Sequence, residues 1–155
     1  MLEPRMTIHY FNSQYNYTPG PTQSAPTSVT ANQAAVDLRA IYDQINAIST
    51  PKTPDTAVFG NGKILKPGIY TTGAAAAFLS TLTLDGLNHP NLVFIYRIGV
   101  AFNSGAGAMV VLTNGASSCN VFWVAEAAIG LAAITKMKGT IIANGAAIGA
   151  GGEVR

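Results

Sequence analysis

The chain has 155 residues, enough for one domain with a sizeable core and hardly enough for two. Hydrophobic residues make up 48% and charged residues only 10%, so a folded monomer must expose much small apolar or neutral polar surface. The formal charge of +2 comes from basic residues that form no run, which argues against nucleic acid as a partner.

Cys119 is the only cysteine, so no disulfide closes within the chain and no cysteine metal cluster forms. The start at Met1 has no apolar stretch of signal-peptide length, so secretion is not encoded in this chain. No apolar run approaches the roughly 18 to 20 residues that span a bilayer, and no membrane insertion is expected.

Residues 1–30 are expected to form an irregular segment lying on the domain. Aromatic residues (Tyr10, Tyr15, Tyr17), Asn, Ser, Pro and Gly dominate it, and proline and glycine work against regular structure. A helix is predicted over 31–48. Thr30 is a natural N-cap with Gln33 three residues on, and Val36, Leu38, Ile41, Tyr42, Ile45 and Ile48 recur at helical spacing. Asp37 precedes Ile41 and Asp43 precedes Ala47, so no strong ion-pair ladder is expected and the helix should be held by packing an apolar stripe. Pro51 and Pro54 stop it.

From 58 to 155 the pattern changes to short β-like runs. Residues 68–72, 82–85, 92–98, 109–113, 121–124 and 140–143 read as strands, and Asn61-Gly62, Asn114-Gly115 and Asn144-Gly145 mark sharp corners between them. Hairpins would suit such dipeptides, but the segments that follow are Gly- and Ala-rich rather than alternating return strands. A solenoid fits better. Phe102, Ile129 and Ile148 each sit between small neighbours, and stacked coils would place the three inward. Ala101, Ala128 and Ala147 would then line the outer surface beside Asn103, Gly130 and Gly149. The same winding suggests Val110, Phe122 and Ile141 as a second inward ladder.

Parts for catalysis are lacking. His9 and His89 are far apart and read as surface residues, and of the acids only Asp85, Glu126 and Glu153 fall within the strand region. Asp85 reads as a turn residue, Cys119 as a small buried thiol, Trp123 as a packing indole, and the glycines at 60–62 and 105–107 as turn glycines. No catalytic residue, metal ligand or cofactor is expected.

Residues 65–154 resemble the ice-binding-like family. The resemblance is carried by Leu-Lys-Pro-Gly-Ile-Tyr at 65–70, Leu-Thr-Leu-Asp-Gly at 82–86, the run 91–99, Val-Leu-Thr-Asn-Gly-Ala at 111–116, Cys-Asn-Val-Phe-Trp at 119–123 and Lys-Gly-Thr-Ile-Ile-Ala at 138–143, in the family's order. It implies a mainly β fold, an irregular right-handed β-solenoid of triangular section with one α-helix packed alongside. Thr7 to His9 is similar to the short element before that helix. The single domain 31–155, made of the helix and the solenoid 58–155, lacks the family's N-terminal strands and its final closing strand. A second chain or another copy is therefore expected to supply the missing pairing.

The resemblance further implies adsorption to ice through a flat, uncharged face, with Ala101, Asn103, Ala128, Gly130, Ala147 and Gly149 as candidates, and an extracellular or particle-surface location. Low charge and a hydroxyl-poor face support an alternative, a self-assembling structural or adhesive component of a surface layer, filament or viral particle. A carbohydrate-active enzyme has only solenoid analogy behind it.

Overall fold

The computed structural model describes residues 7–10, 25–49 and 57–152. Strand β1 (Thr7–Tyr10) is followed by helix α1 (Ala25–Ala47) and by twelve strands: β2 (Val58–Gly60), β3 (Lys63–Leu65), β4 (Gly68–Thr72), β5 (Ala76–Leu79), β6 (Thr81–Asp85), β7 (Phe94–Ile98), β8 (Phe102–Ser104), β9 (Met109–Thr113), β10 (Val121–Ala125), β11 (Ile129–Leu131), β12 (Thr140–Ala143) and β13 (Ile148–Ala150). They assemble into three sheets. Sheet A has the order β1-β12-β10-β7-β4, sheet B β13-β11-β8-β5-β2, and sheet C β3-β6-β9. Neighbouring strands run parallel throughout, so each circuit of the chain adds one strand to a side. Three sheets wound this way give the expected solenoid with one side per sheet, and the hairpin alternative is gone.

The corners follow from local backbone chemistry. Asn61 and Gly62 take φ of 54° and 75°, and Asn114 and Gly115 take 48° and 76°, the left-handed region that Asn and Gly tolerate. At the third Asn-Gly pair the side chain does the work. Asn144 Nδ2 donates to Glu126 Oε2 at 3.0 Å. Gly60 is forced, because a Cβ there would collide with the carbonyl of Leu79 in the next coil.

Inside the coils, alternate residues of the three sheets meet. Phe102, Ile129 and Ile148 are in register on adjacent strands, as expected, with Phe102 and Ile129 buried. Tyr70, Tyr96 and Trp123 form the matching column of sheet A, ring centroids 5.3 Å and 4.1 Å apart and planes nearly parallel. Phe102 stacks on Trp123 at 5.6 Å, joining the two columns. Trp123 Nε1 donates to the carbonyl of Lys138 at 2.9 Å, so the buried indole leaves no orphan donor.

The second inward ladder is corrected. Val110 points inward from sheet C, and Ile141 stands opposite Trp123, but Phe122 faces the other way, toward α1. One residue of slip exchanges the faces of a strand. In a run apolar on both sides, alternation does not say which face is which. Cys119 is also corrected. It sits exposed on the 3₁₀ turn Ser118–Asn120, before the apolar run begins at Val121.

Helix α1 differs from its expected form in three ways. Thr30 lies within it, so the capping box does not form, and Gln33 Nε2 instead donates to Asp37 Oδ1 at 2.8 Å. Pro26 is tolerated in the first turn, where its missing N–H costs nothing, and an interior threonine costs only a few tenths of a kcal/mol. The buried stripe is narrower than the apolar pattern. Tyr42 and Ile45 are buried and Leu38 partly so, whereas Val36, Ile41 and Ile48 remain exposed. One ion pair at four-residue spacing is present, Arg39 Nε to Asp43 Oδ1 at 3.1 Å. The segment 1–30 is not wholly irregular either, since β1 extends sheet A beside β12 and α1 already runs from Ala25. Tyr15, Tyr17, Pro51, Pro54 and Glu153 lie outside the described residues.

Candidate functional site

Each side of the solenoid has a different outer surface. Sheet A is covered: Tyr42 and Ile45 of α1 pack on Ile95, Val124 and Ile142, with Leu38, Ile69 and Phe122 at the margin. Arg97, standing out from β7, fixes the end of the helix. Its Nη1 donates to the carbonyls of Asn46 at 2.8 Å and Ile48 at 3.2 Å, and its Nε to Thr71 Oγ1 at 3.1 Å. A cation at a helix C-terminus satisfies orphan carbonyls and opposes the helix dipole. A second polar cluster ties α1 to the sheet A to sheet B corner. The Tyr42 hydroxyl donates to Glu126 Oε1, and Asn144 Nδ2 approaches the Tyr42 oxygen at 3.0 Å. Burial pushes the Tyr42 hydroxyl up to about 12, and the Glu126 carboxylate adds to the effect.

No described element covers sheet B, and its outer surface brings together the six residues picked from the sequence. Asn103, Gly130 and Gly149 are paired across β8, β11 and β13, and Ala77 of β5 and Val58 of β2 extend their column over five coils. Ala101, Ala128 and Ala147 form the neighbouring column. Their carbonyls accept from Ala76 N at 2.9 Å, Phe102 N at 3.1 Å and Ile129 N at 3.2 Å, which continues the ladder one residue before each strand. On the other flank stand Leu79, Gly105 and Gly151, a third column that the sequence hides because Gly105 reads as a turn glycine. None of these positions carries a charge.

Coils repeat every 4.7–4.9 Å and outward residues along a strand about 6.7 Å, so the surface is a grid of methyls and bare backbone. Where side chains are smallest the grid dips into an open trough of about 450 Å³ lined by Asn103, Gly130, Ala132, Gly149 and Gly151. The Asn103 amide lies over Gly130, where a Cβ would stand 2.5 Å from Asn103 Oδ1 and the exposed asparagine would have to swing aside. Beneath the grid, Ser104 Oγ meets Thr135 Oγ1 at 2.8 Å and accepts from Ala132 N at 2.9 Å. Thr135 is fully buried, while Ser104, whose hydroxyl is engaged by these bonds, is half-buried at the floor of the trough.

No catalytic constellation accompanies this surface among the described residues. Asp85 and Glu126 do not converge: the Asp85 carboxyl accepts from the Leu87 N–H at 2.9 Å and from Asn114 Nδ2 at 2.8 Å, while Glu126 is engaged with Tyr42. The two hydrogen bonds hold Asp85 below the usual carboxylate range, as suits a turn residue. His89 is exposed.

Comparison with known proteins settles the lineage. The family model described as ice-binding-like matches residues 6–154. This chain belongs to the ice-binding-like family. It is 32% identical over 113 residues to an ice-binding protein of Nostoc sp. (strain HG1), covering 73% of this chain and 41% of that one. Ice-binding protein 1 of Shewanella frigidimarina (strain NCIMB 400) is 33% identical over 117 residues, 72% of this chain and 13% of its own length. Among solved structures, an ice-binding protein from an Antarctic bacterium of the Flavobacteriaceae superposes with a TM-score of 0.67 and 35% identity over 79% of this chain and 33% of that one. The chain thus spans less than half the length of these three relatives. The family and these members are described by binding and not by catalysis.

Proposed function

We propose that the chain adsorbs to ice, as an antifreeze domain, through the outer surface of sheet B, with Ala101, Asn103, Ala128, Gly130, Ala147 and Gly149 at its centre. The observation that carries this reading is the absence of charge from three columns held in register over a closely packed aromatic core. Charged side chains bind liquid water strongly and stand away from a sheet. Methyls and bare backbone restrict the orientations of first-shell water instead, and a rigid grid does so in a repeating pattern. Family membership and the names of the relatives favour ice over the building-block alternative.

The test is thermal hysteresis and ice-crystal shaping by the full chain beside its Ala128→Tyr variant. Ala128 is exposed in mid-column, so a tyrosine there lifts the approaching surface off the grid without touching the core. Shaping and hysteresis in the parent, largely lost in the variant, support the reading. Equal activity in both would move the site elsewhere, and inactivity of both, accompanied by ordered oligomers, would favour a structural component. Self-association belongs to the same proposal: β13 is paired on one edge only among the described residues, and a second copy is a fitting occupant of the other. Light scattering should then report a dimer or larger, and a monomer at high concentration would remove this part.

A further inference from the structure

Each circuit turns from sheet B to sheet C at a corner that contains a residue with left-handed backbone. Asn61, Ser80 and Gly107 fill this place after β2, β5 and β8, with φ of 54°, 59° and 69°. After β11 the place is taken by Ile134, at φ 61°. For a residue with a branched Cβ that conformation is strained, because the Cβ crowds the following carbonyl. Burial does not offset the strain, since Ile134 is 57% exposed.

The surrounding bonds leave the corner little freedom. Ala132 N donates to Ser104 Oγ at 2.9 Å, and the fully buried Thr135 donates its hydroxyl to the Ala132 carbonyl at 2.7 Å. The Ala133 carbonyl accepts from Gly107 N at 3.0 Å, Ile134 N donates to the Gly152 carbonyl at 3.2 Å, and Lys136 N donates to the Ala108 carbonyl at 2.8 Å. Ties on this scale over-determine the backbone from 132 to 136, the condition under which strain persists. They would hold a small residue equally well, and so do not account for an isoleucine.

Its position does. Ile134 follows by two residues Ala132, which lines the trough of sheet B. Leu79 stands on the same margin of the sheet and Val100 on the opposite one, directly before Ala101, and both are exposed. Leu79 lies along the surface, with its Cδ2 3.0 Å from the place a Cβ on Gly105 would take. The margins of sheet B thus carry branched apolar side chains where its centre carries methyls and bare backbone. Resting on the reading of sheet B as the ice-adsorbing side, we infer that Ile134 is a contact residue of that surface and extends its methyl grid over the corner. A branched side chain at the rim widens the area over which first-shell water is restricted, and a backbone that cannot relax keeps those methyls where they are needed.

Thermal hysteresis and melting temperature are measured on the full chain and on Ile134→Asn, Ile134→Val and Ala128→Tyr. Asparagine stands at the first corner and takes left-handed angles readily, so Ile134→Asn should melt no lower than the parent while losing a large part of the hysteresis. Ile134→Val keeps a branched pair of methyls and should match the parent in hysteresis. Undiminished hysteresis in Ile134→Asn would overturn the inference. So would a melting temperature that falls together with the hysteresis, because the side chain would then serve the fold, or an equal loss in Ile134→Val, because methyls would then not be what is recognised. The sheet B reading fails separately: an inactive parent, or an Ala128→Tyr variant as active as the parent, would remove that reading, and the role of Ile134 with it, whatever the Ile134 variants do.

Discussion

Sheet A and sheet B are wound from the same coils over the same core, but among the described residues only sheet A carries a second layer. Its outward positions, Ile69, Ile95, Phe122, Val124 and Ile142, are large and apolar because α1 lies on them. The corresponding positions of sheet B are Ala77, Asn103, Gly130 and Gly149, which no described element covers. Large side chains on a sheet's outer face are tolerable when another element removes them from water. A face left bare in a chain so poor in charge must be flattened instead, or it becomes an aggregation surface. Size of the outward residue therefore reports whether a side is for packing or for meeting something outside the molecule.

The sharpest way to break this contrast is to change one residue beneath the surface and one upon it. Trp123 is fully buried and touches Tyr96, Phe102 and Phe78. Trp123→Ala should cost about 3–5 kcal/mol in denaturant unfolding, from lost transfer energy and the cavity left behind. Ala128→Tyr should stay within about 0.5 kcal/mol, as exposed substitutions do. Similar costs for the two would mean that inside and outside of the coil are wrongly assigned. A smaller effect tests the covered side. Arg97→Met removes the cation that satisfies the last carbonyls of α1, and should cost about 1–2 kcal/mol and speed amide exchange in the final turn of the helix. Unchanged exchange would show that the apolar contacts of Tyr42 and Ile45 hold the helix alone.

The same contrast explains what could be read from the sequence. On the bare side, Phe102, Ile129 and Ile148 stand out between glycines and alanines, so size alternation revealed the register and all six surface positions. On the covered side, the run from Val121 to Ala125 is apolar on both faces, and alternation fell silent. That is why the outward orientation of Phe122, toward α1, is not legible from the sequence. Arg97 lies 51 residues from Asn46 at the helix end and Tyr42 lies 84 residues from Glu126, and no local pattern links them. The narrow buried stripe of α1 follows from helix geometry. At about 100° per residue Val36 falls on the side of the helix opposite Leu38, Tyr42 and Ile45, and Ile41 at the edge of their stripe, so both stay exposed.

Buried polar groups distinguish the interior further. The Tyr96 hydroxyl has no hydrogen-bond partner within the described structure, although the ring is fully buried between Tyr70 and Trp123. Tyr96→Phe keeps both stacks and deletes the unpaired group, so it should stabilise the fold by about 1 kcal/mol in thermal unfolding. A loss of stability would show that the oxygen has a partner after all.

The smallest expected effect is the most specific to the clasp between α1 and the sheet A to sheet B corner. Tyr42 holds its proton up to about 12 in the folded state, against an ordinary value of 10.0. Below pH 10 both states carry the proton, and the clasp contributes in full. As pH rises from 10 to 12 the unfolded chain releases the proton while the folded chain retains it, so unfolding gains and stability falls. Tyr70 and Tyr96 are shifted in the same direction by burial and add to the decline. Tyr42→Phe should therefore show a shallower loss across that window while keeping the part due to the other two tyrosines. Because the Tyr42 hydroxyl sits where α1 meets the sheet, circular dichroism at the helix wavelength is the suitable measurement. Superimposable pH profiles for parent and variant would show that the Glu126 contact contributes nothing to holding the helix in place.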